Sequence, residues 1–107
     1  MTKHRAFFGD AEHDFQIKPP LILELERKTG TGIGGLCRRL FAGDFSHTDI
    51  LQTIRLALIG GGTAPERADE LVATYAICRP LNETYPLAVA ILEAVWFGKA
   101  NDKQGGE

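Results

Sequence analysis

Three consecutive glycines, Gly60-Gly61-Gly62, separate two helix-patterned segments and set the main joint of the chain. Upstream, Ser46 stands three residues before Asp49. This spacing predicts a helix start in which each residue satisfies an amide the other leaves open, with the acid at the positive helix end. Ile50, Leu51, Ile54, Ala57 and Leu58 then recur on one face of a 3.6-residue period. Three glycines in series lose too much backbone entropy to prolong that helix. Downstream, Thr63 and Glu66 repeat the start signal, and Pro65 fits a first turn, where no amide donor is missed. Leu56 and Ile59 lie off the buried stripe, toward either another helix of the same chain or a partner.

Similar patterns run through the rest of the chain. Arg5 to Phe8 and His13 to Ile17 read as two strands, with Gly9-Asp10-Ala11-Glu12 turning between them. A hairpin this small needs helices to pack on. Pro19-Pro20 opens a helix with Leu21, Ile22 and Leu25 inward and Glu24, Glu26, Arg27 and Lys28 outward. After Thr29-Gly30-Thr31-Gly32, a second helix carries Ile33, Leu36, Cys37, Leu40 and Phe41 on one face and ends at Gly43. Ala68, Leu71, Val72, Tyr75 and Ala76 line the helix that follows the glycines, and Arg79-Pro80 closes it. Leu81 to Tyr85 reads as a connector. The last helix, Pro86 to Phe97, has Glu93 as its one charged residue. Leu87, Ala88, Ile91, Ala94 and Val95 form one apolar face, and Val89, Leu92 and Trp96 form another. A helix apolar all round is either central to a core or committed to a partner, including a second copy of the chain.

The expected fold is mainly α (α+β), an N-terminal β-hairpin (5–17) packed on a compact bundle of four to five short helices (20–98). That makes one domain over 1–98 with a disordered tail at 99–107. At 107 residues the chain can remove roughly two-thirds of its unfolded surface from water. A net charge of −2 gives no basic footprint for nucleic acid or anionic membrane. No apolar run nears the ~20 residues of a membrane span, and the first residues lack a secretory apolar region. A cytoplasmic location is expected. Cys37 and Cys78 read as buried reduced thiols.

The residues that resemble chemistry are better explained as structure. Gly30-Thr31-Gly32-Ile33-Gly34-Gly35 matches G-x-G-x-x-G, but the segment before it is charged and helix-patterned, whereas a dinucleotide site needs a buried strand there. It reads as a helix-to-helix joint. His4, His13 and His47 have no ligand spacing, so no metal is expected. Asp10, Glu12 and Asp14 read as solvated charge on a turn. Arg38 and Arg39 point outward, toward an acidic partner or toward water. Neither catalytic residues nor a cofactor follow from the sequence, and an enzyme is not expected.

From Pro20 to Gly98 the chain resembles the tail-assembly-chaperone-like proteins of gene transfer agents and related tailed phages of α-proteobacteria. The likeness rests on ELERKTGTGIGGL at Glu24–Leu36, IRLALIGGG at Ile54–Gly62, APERA at Ala64–Ala68, LVATY at Leu71–Tyr75, RPL at Arg79–Leu81 and LEAVWFG at Leu92–Gly98. The resemblance implies a part in building a phage-like tail, by binding the tape-measure protein, the tail-tube protein or both before polymerisation. It brings no catalytic motif. Leu56, Ile59, Val89, Leu92 and Trp96 are the candidate partner-binding residues, chosen because they lie off the buried stripes. The rival readings are a structural minor tail component and a small helical nucleic-acid-binding protein that uses the turn at Gly43–Ser46.

Overall fold

The computed structural model describes residues 3–98. Strands β1 (His4–Phe8) and β2 (Ala11–Phe15) pair antiparallel, with His4 opposite Phe15 and Phe8 opposite Ala11. The turn is therefore Gly9-Asp10 alone, two residues shorter than expected, because Ala11 and Glu12 join the ladder. Gly9 has φ 68°, the positive value that primed hairpin turns require at their first central position. It also lies against Tyr75, whose ring a Cβ at Gly9 would approach to 2.2 Å. Phe8 meets Phe15 and Tyr75 edge-on, with ring centroids 6.1 and 6.2 Å apart, and so anchors the hairpin to the helices.

Five helices follow: α1 (Pro19–Thr29), α2 (Ile33–Phe41), α3 (His47–Gly60), α4 (Pro65–Tyr75) and α5 (Leu81–Phe97). α3 is the axis of the domain and packs against α1, α4, α5 and β2. Its start is the predicted reciprocal cap. The Asp49 amide donates to Ser46 Oγ at 3.1 Å, and the Ser46 amide donates to Asp49 Oδ2 at 3.0 Å. Asp49 is buried and also accepts from Arg39 Nη2 at 2.6 Å, so Arg39 does not simply point outward. Between α1 and α2, Gly30 adopts φ 76° as the left-handed cap of α1. Glu26 Oε2 accepts from the Ile33 amide at 2.7 Å, supplying the side-chain cap that Gly32 lacks.

The glycine joint does more than stop α3. Gly60 still belongs to the helix, and β2 runs directly across it. The Gln16 amide donates to the Ala57 carbonyl at 3.0 Å. A Cβ on Gly60 would lie 1.8 Å from the Gln16 carbonyl oxygen, and one on Gly61 would lie 1.9 Å from the Asp14 carbonyl oxygen. Backbone therefore meets backbone with no room for a side chain.

Several expectations need correction. The second capping box does not form. Ala64 is the N-cap of α4 and Pro65 its first residue, so Thr63 falls one position too early. The Thr63 amide instead donates to the Leu58 carbonyl at 2.9 Å, wrapping the end of α3. α5 starts at Leu81, after Pro80, and Pro86 lies inside it. The missing Pro86 donor leaves the carbonyl of Asn82, an exposed residue, without its intrahelical bond. Tyr85 holds this turn in place by stacking on Phe45 at 4.6 Å between ring centroids and donating its hydroxyl to the Leu40 carbonyl. Cys37 is buried as expected, but Cys78 is exposed. Leu56 (2% exposed) and Leu92 (0%) are core residues, so neither presents a surface to a partner. The expected tail at 99–107 lies outside the described residues.

The glycine joint makes a stability prediction. Gly60→Ala and Gly61→Ala should each destabilise by about 1–3 kcal/mol or more, because the strand backbone must move. Gly34→Ala, where a Cβ meets nothing within 4 Å, should be neutral or stabilising by up to about 1 kcal/mol. Urea unfolding of the three variants checks this, and equal effects at all three positions would contradict it.

Candidate interaction surface

The sequence marks α5 as too apolar for a surface helix, and the structure shows where the excess goes. Its inward face, including Ala88, Ile91 and Leu92, is buried in the core against α3 and α2. Its last turn extends past that core. There Trp96 is 57% exposed and Phe97 67% exposed. Gly98 ends the helix in the left-handed conformation, φ 82°. Across from this turn lies one face of α2, from Gly34 to its cap Ala42, on which Phe41 is 39% exposed. The last turn of α5 and this face enclose an open groove of about 480 Å³ lined by Gly34, Cys37, Arg38, Phe41, Ala42, Trp96 and Phe97. Three exposed aromatic side chains around one groove form a local apolar patch, which makes this recess the candidate surface.

The five residues proposed from the sequence separate on this structure. Trp96 lies in the groove. Val89 is half-buried, seven residues before Trp96 on α5, and does not line the groove. Ile59 is partly buried and packs on the core. Leu56 and Leu92 lie within the core. Sequence reasoning missed Phe97 and placed Phe41 on the inward stripe of α2. The available signal was the pairing of two aromatic residues directly before a helix-ending glycine, with no buried stripe left for Phe97 to join.

Other chemistry-bearing groups are held in structural contacts. Asp10, Glu12 and Asp14 are not simply solvated. Asp10 pairs with Arg67 of α4 and lies 3.3 Å from His13 Nε2, while Arg5 bridges Glu12 at 3.1 Å and Asp14 at 2.8 Å. A second recess, about 440 Å³ beside the hairpin turn, has the Arg79–Glu83 ion pair in its wall. The first free amide of α2, where an anion would sit, is already occupied by the Glu26 carboxylate. α3 turns Asp49, Ile50, Thr53, Ile54, Leu56, Ala57 and Leu58 into the domain. No helix among the described residues is long and apolar enough to cross a membrane. Burial pushes the Cys37 thiol up to about 11, so it stays protonated at neutral pH although it borders the groove.

A family model described as "Phage tail tube protein, GTA-gp10" matches residues 2–98. No curated protein and no solved structure matches the chain.

Two measurements follow from the titratable groups. Burial holds the His4 pKa below its ordinary value of 6.5, with the nearby Glu93 carboxylate opposing the shift. The unfolded chain therefore binds the His4 proton first as pH falls, and the folded state loses stability from about pH 6.5 downward. His4→Gln should flatten the dependence of the urea midpoint on pH between neutral and mildly acidic solution, and an unchanged slope would contradict the assignment. With a thiol reagent at neutral pH, Cys78 should react promptly and Cys37 only on unfolding. Two equally fast thiols would contradict the buried position of Cys37.

Proposed function

The chain belongs to the family described as phage tail tube protein, GTA-gp10, and from that membership we propose that it is an assembly factor for a phage-like tail. In this reading it holds another tail polypeptide, the tape-measure protein first and the tail-tube subunit second, until that polypeptide is built in. It acts in the bacterial cytoplasm and makes or breaks no covalent bond. The observation that carries the reading is the groove between α2 and α5: of the exposed large apolar side chains, which also include Phe7, Leu23, Ile77 and Leu81, three aromatic ones, Phe41, Trp96 and Phe97, gather around this one recess. A long helical polypeptide with an apolar stripe needs that stripe covered before assembly, and a groove between two helices suits it.

The family description itself favours a second reading, a structural component that stays in the tail. A tube wall that stacks rings needs broad sheet surfaces. The described residues hold one two-stranded hairpin, and α3 covers one edge of it. This counts toward the assembly role.

Capture of the tape-measure protein encoded in the same gene cluster tests the proposal. The wild-type chain should retain it, and Trp96→Ala and Trp96→Ala/Phe97→Ala should lose at least about tenfold in affinity while keeping their helical circular dichroism. The chain should be absent from purified particles by mass spectrometry. Stoichiometric presence in finished particles would favour the structural reading, and undiminished capture by folded variants would exclude the groove as the contact.

A further inference from the structure

Building on the reading of the α2–α5 groove as a partner contact, we propose that the groove takes an α-helix carrying an acidic residue beside its apolar stripe, and that Arg38 selects for that acid. Six arginines of the chain have a carboxylate partner. Arg5 pairs with Glu12 and Asp14, Arg27 with Glu24, Arg39 with Asp49, Arg55 with Asp69, Arg67 with Asp10 and Glu70, and Arg79 with Glu83. Arg38 forms no ion pair among the described residues. It is exposed, and among the described residues it is the one cation that lines the groove with Phe41, Trp96 and Phe97. Its place in the last turn of α2 is favourable for a cation but supplies no carboxylate.

The groove also constrains the form of its ligand. Both walls are helices, whose backbone groups are largely spent within α2 and α5, so the groove offers no row of donors and acceptors along which an extended strand would pair. A segment buried there must satisfy its own backbone, as a helix does. At Gly34 the groove wall has no side chain, and a Cβ there would meet nothing within 4 Å, so the ligand can approach closely at that point. Docking would exclude water from around Arg38. A guanidinium–carboxylate pair then strengthens, while a cationic ligand meets an uncompensated like charge.

Trp96 is the single tryptophan of the chain, so its fluorescence reports on this groove directly. The full chain is titrated with two tryptophan-free synthetic amphipathic helices that share one leucine stripe, flanked by glutamate in one and by lysine in the other. The glutamate peptide should shift Trp96 emission to the blue with saturation, and the lysine peptide should bind at least about tenfold more weakly. Added salt should narrow that difference, and Arg38→Gln should abolish it. No spectral change with either peptide, equal binding of both, or a preference that survives in folded Arg38→Gln overturns the inference. The wild-type preference tests it even if the variant does not fold. Tape-measure capture without any acidic preference overturns this inference alone. An acidic preference without tape-measure capture supports this groove chemistry and overturns the tail-assembly reading alone.

Discussion

The fold depends on a place where two stretches of main chain touch. β2 crosses the end of α3 so closely that the Asp14 and Gln16 carbonyls occupy the space a side chain would need at Gly61 and Gly60. The Gln16 amide closes the contact on the Ala57 carbonyl. A two-stranded hairpin has little stability of its own. Here one of its edges is tied to the central helix, and Phe8 and Phe15 enter the shared core beside it. The hairpin is thereby made part of the helical domain.

The same helix is fixed at its other end by charge. Asp49 is buried, yet its carboxylate serves the Ser46 amide and Arg39 at once. A buried carboxylate without such partners would be costly, so α2 and α3 are held in one relative position by the need to keep it satisfied. Tyr85 adds a third tie, from α5 to the Leu40 carbonyl at the end of α2 and to the ring of Phe45. These links hold the beginning of α5 against the end of α2, and the groove lies farther along, between the last turn of α5 and the outer face of α2.

Much of this was readable in the sequence because it depends on local pattern. The Ser46–Asp49 cap, the helix-opening prolines, the glycine joints and the stripes of α1 and α4 are short-range signals with short-range causes. The errors came where distant residues decide the outcome. Pro86 reads as a helix start, but Tyr85 has partners more than one helix away that keep the preceding turn helical. Thr63 and Glu66 have cap spacing, but the wrapped end of α3 takes the Thr63 amide first. On α5, where apolar residues surround the helix, period alone cannot separate Leu92 in the core from Trp96 at the surface. That distinction depends on how far the helix runs past its neighbours. Trp96 stood out because it lies off the main apolar stripe of α5 and because tryptophan is the residue type most enriched in binding hot spots. Phe97 and the exposed side of Phe41 carried no such mark.

The aromatic groove is shared between α2 and α5, which lie about half the chain apart. Neither helix makes it alone. A ribosome delivering this chain from the N-terminus finishes α2 well before Phe97 emerges, so the greasy recess comes into being only as the last helix docks. A nascent or prematurely terminated chain therefore shows two separate half-walls, and the recess arrives together with completion of the fold.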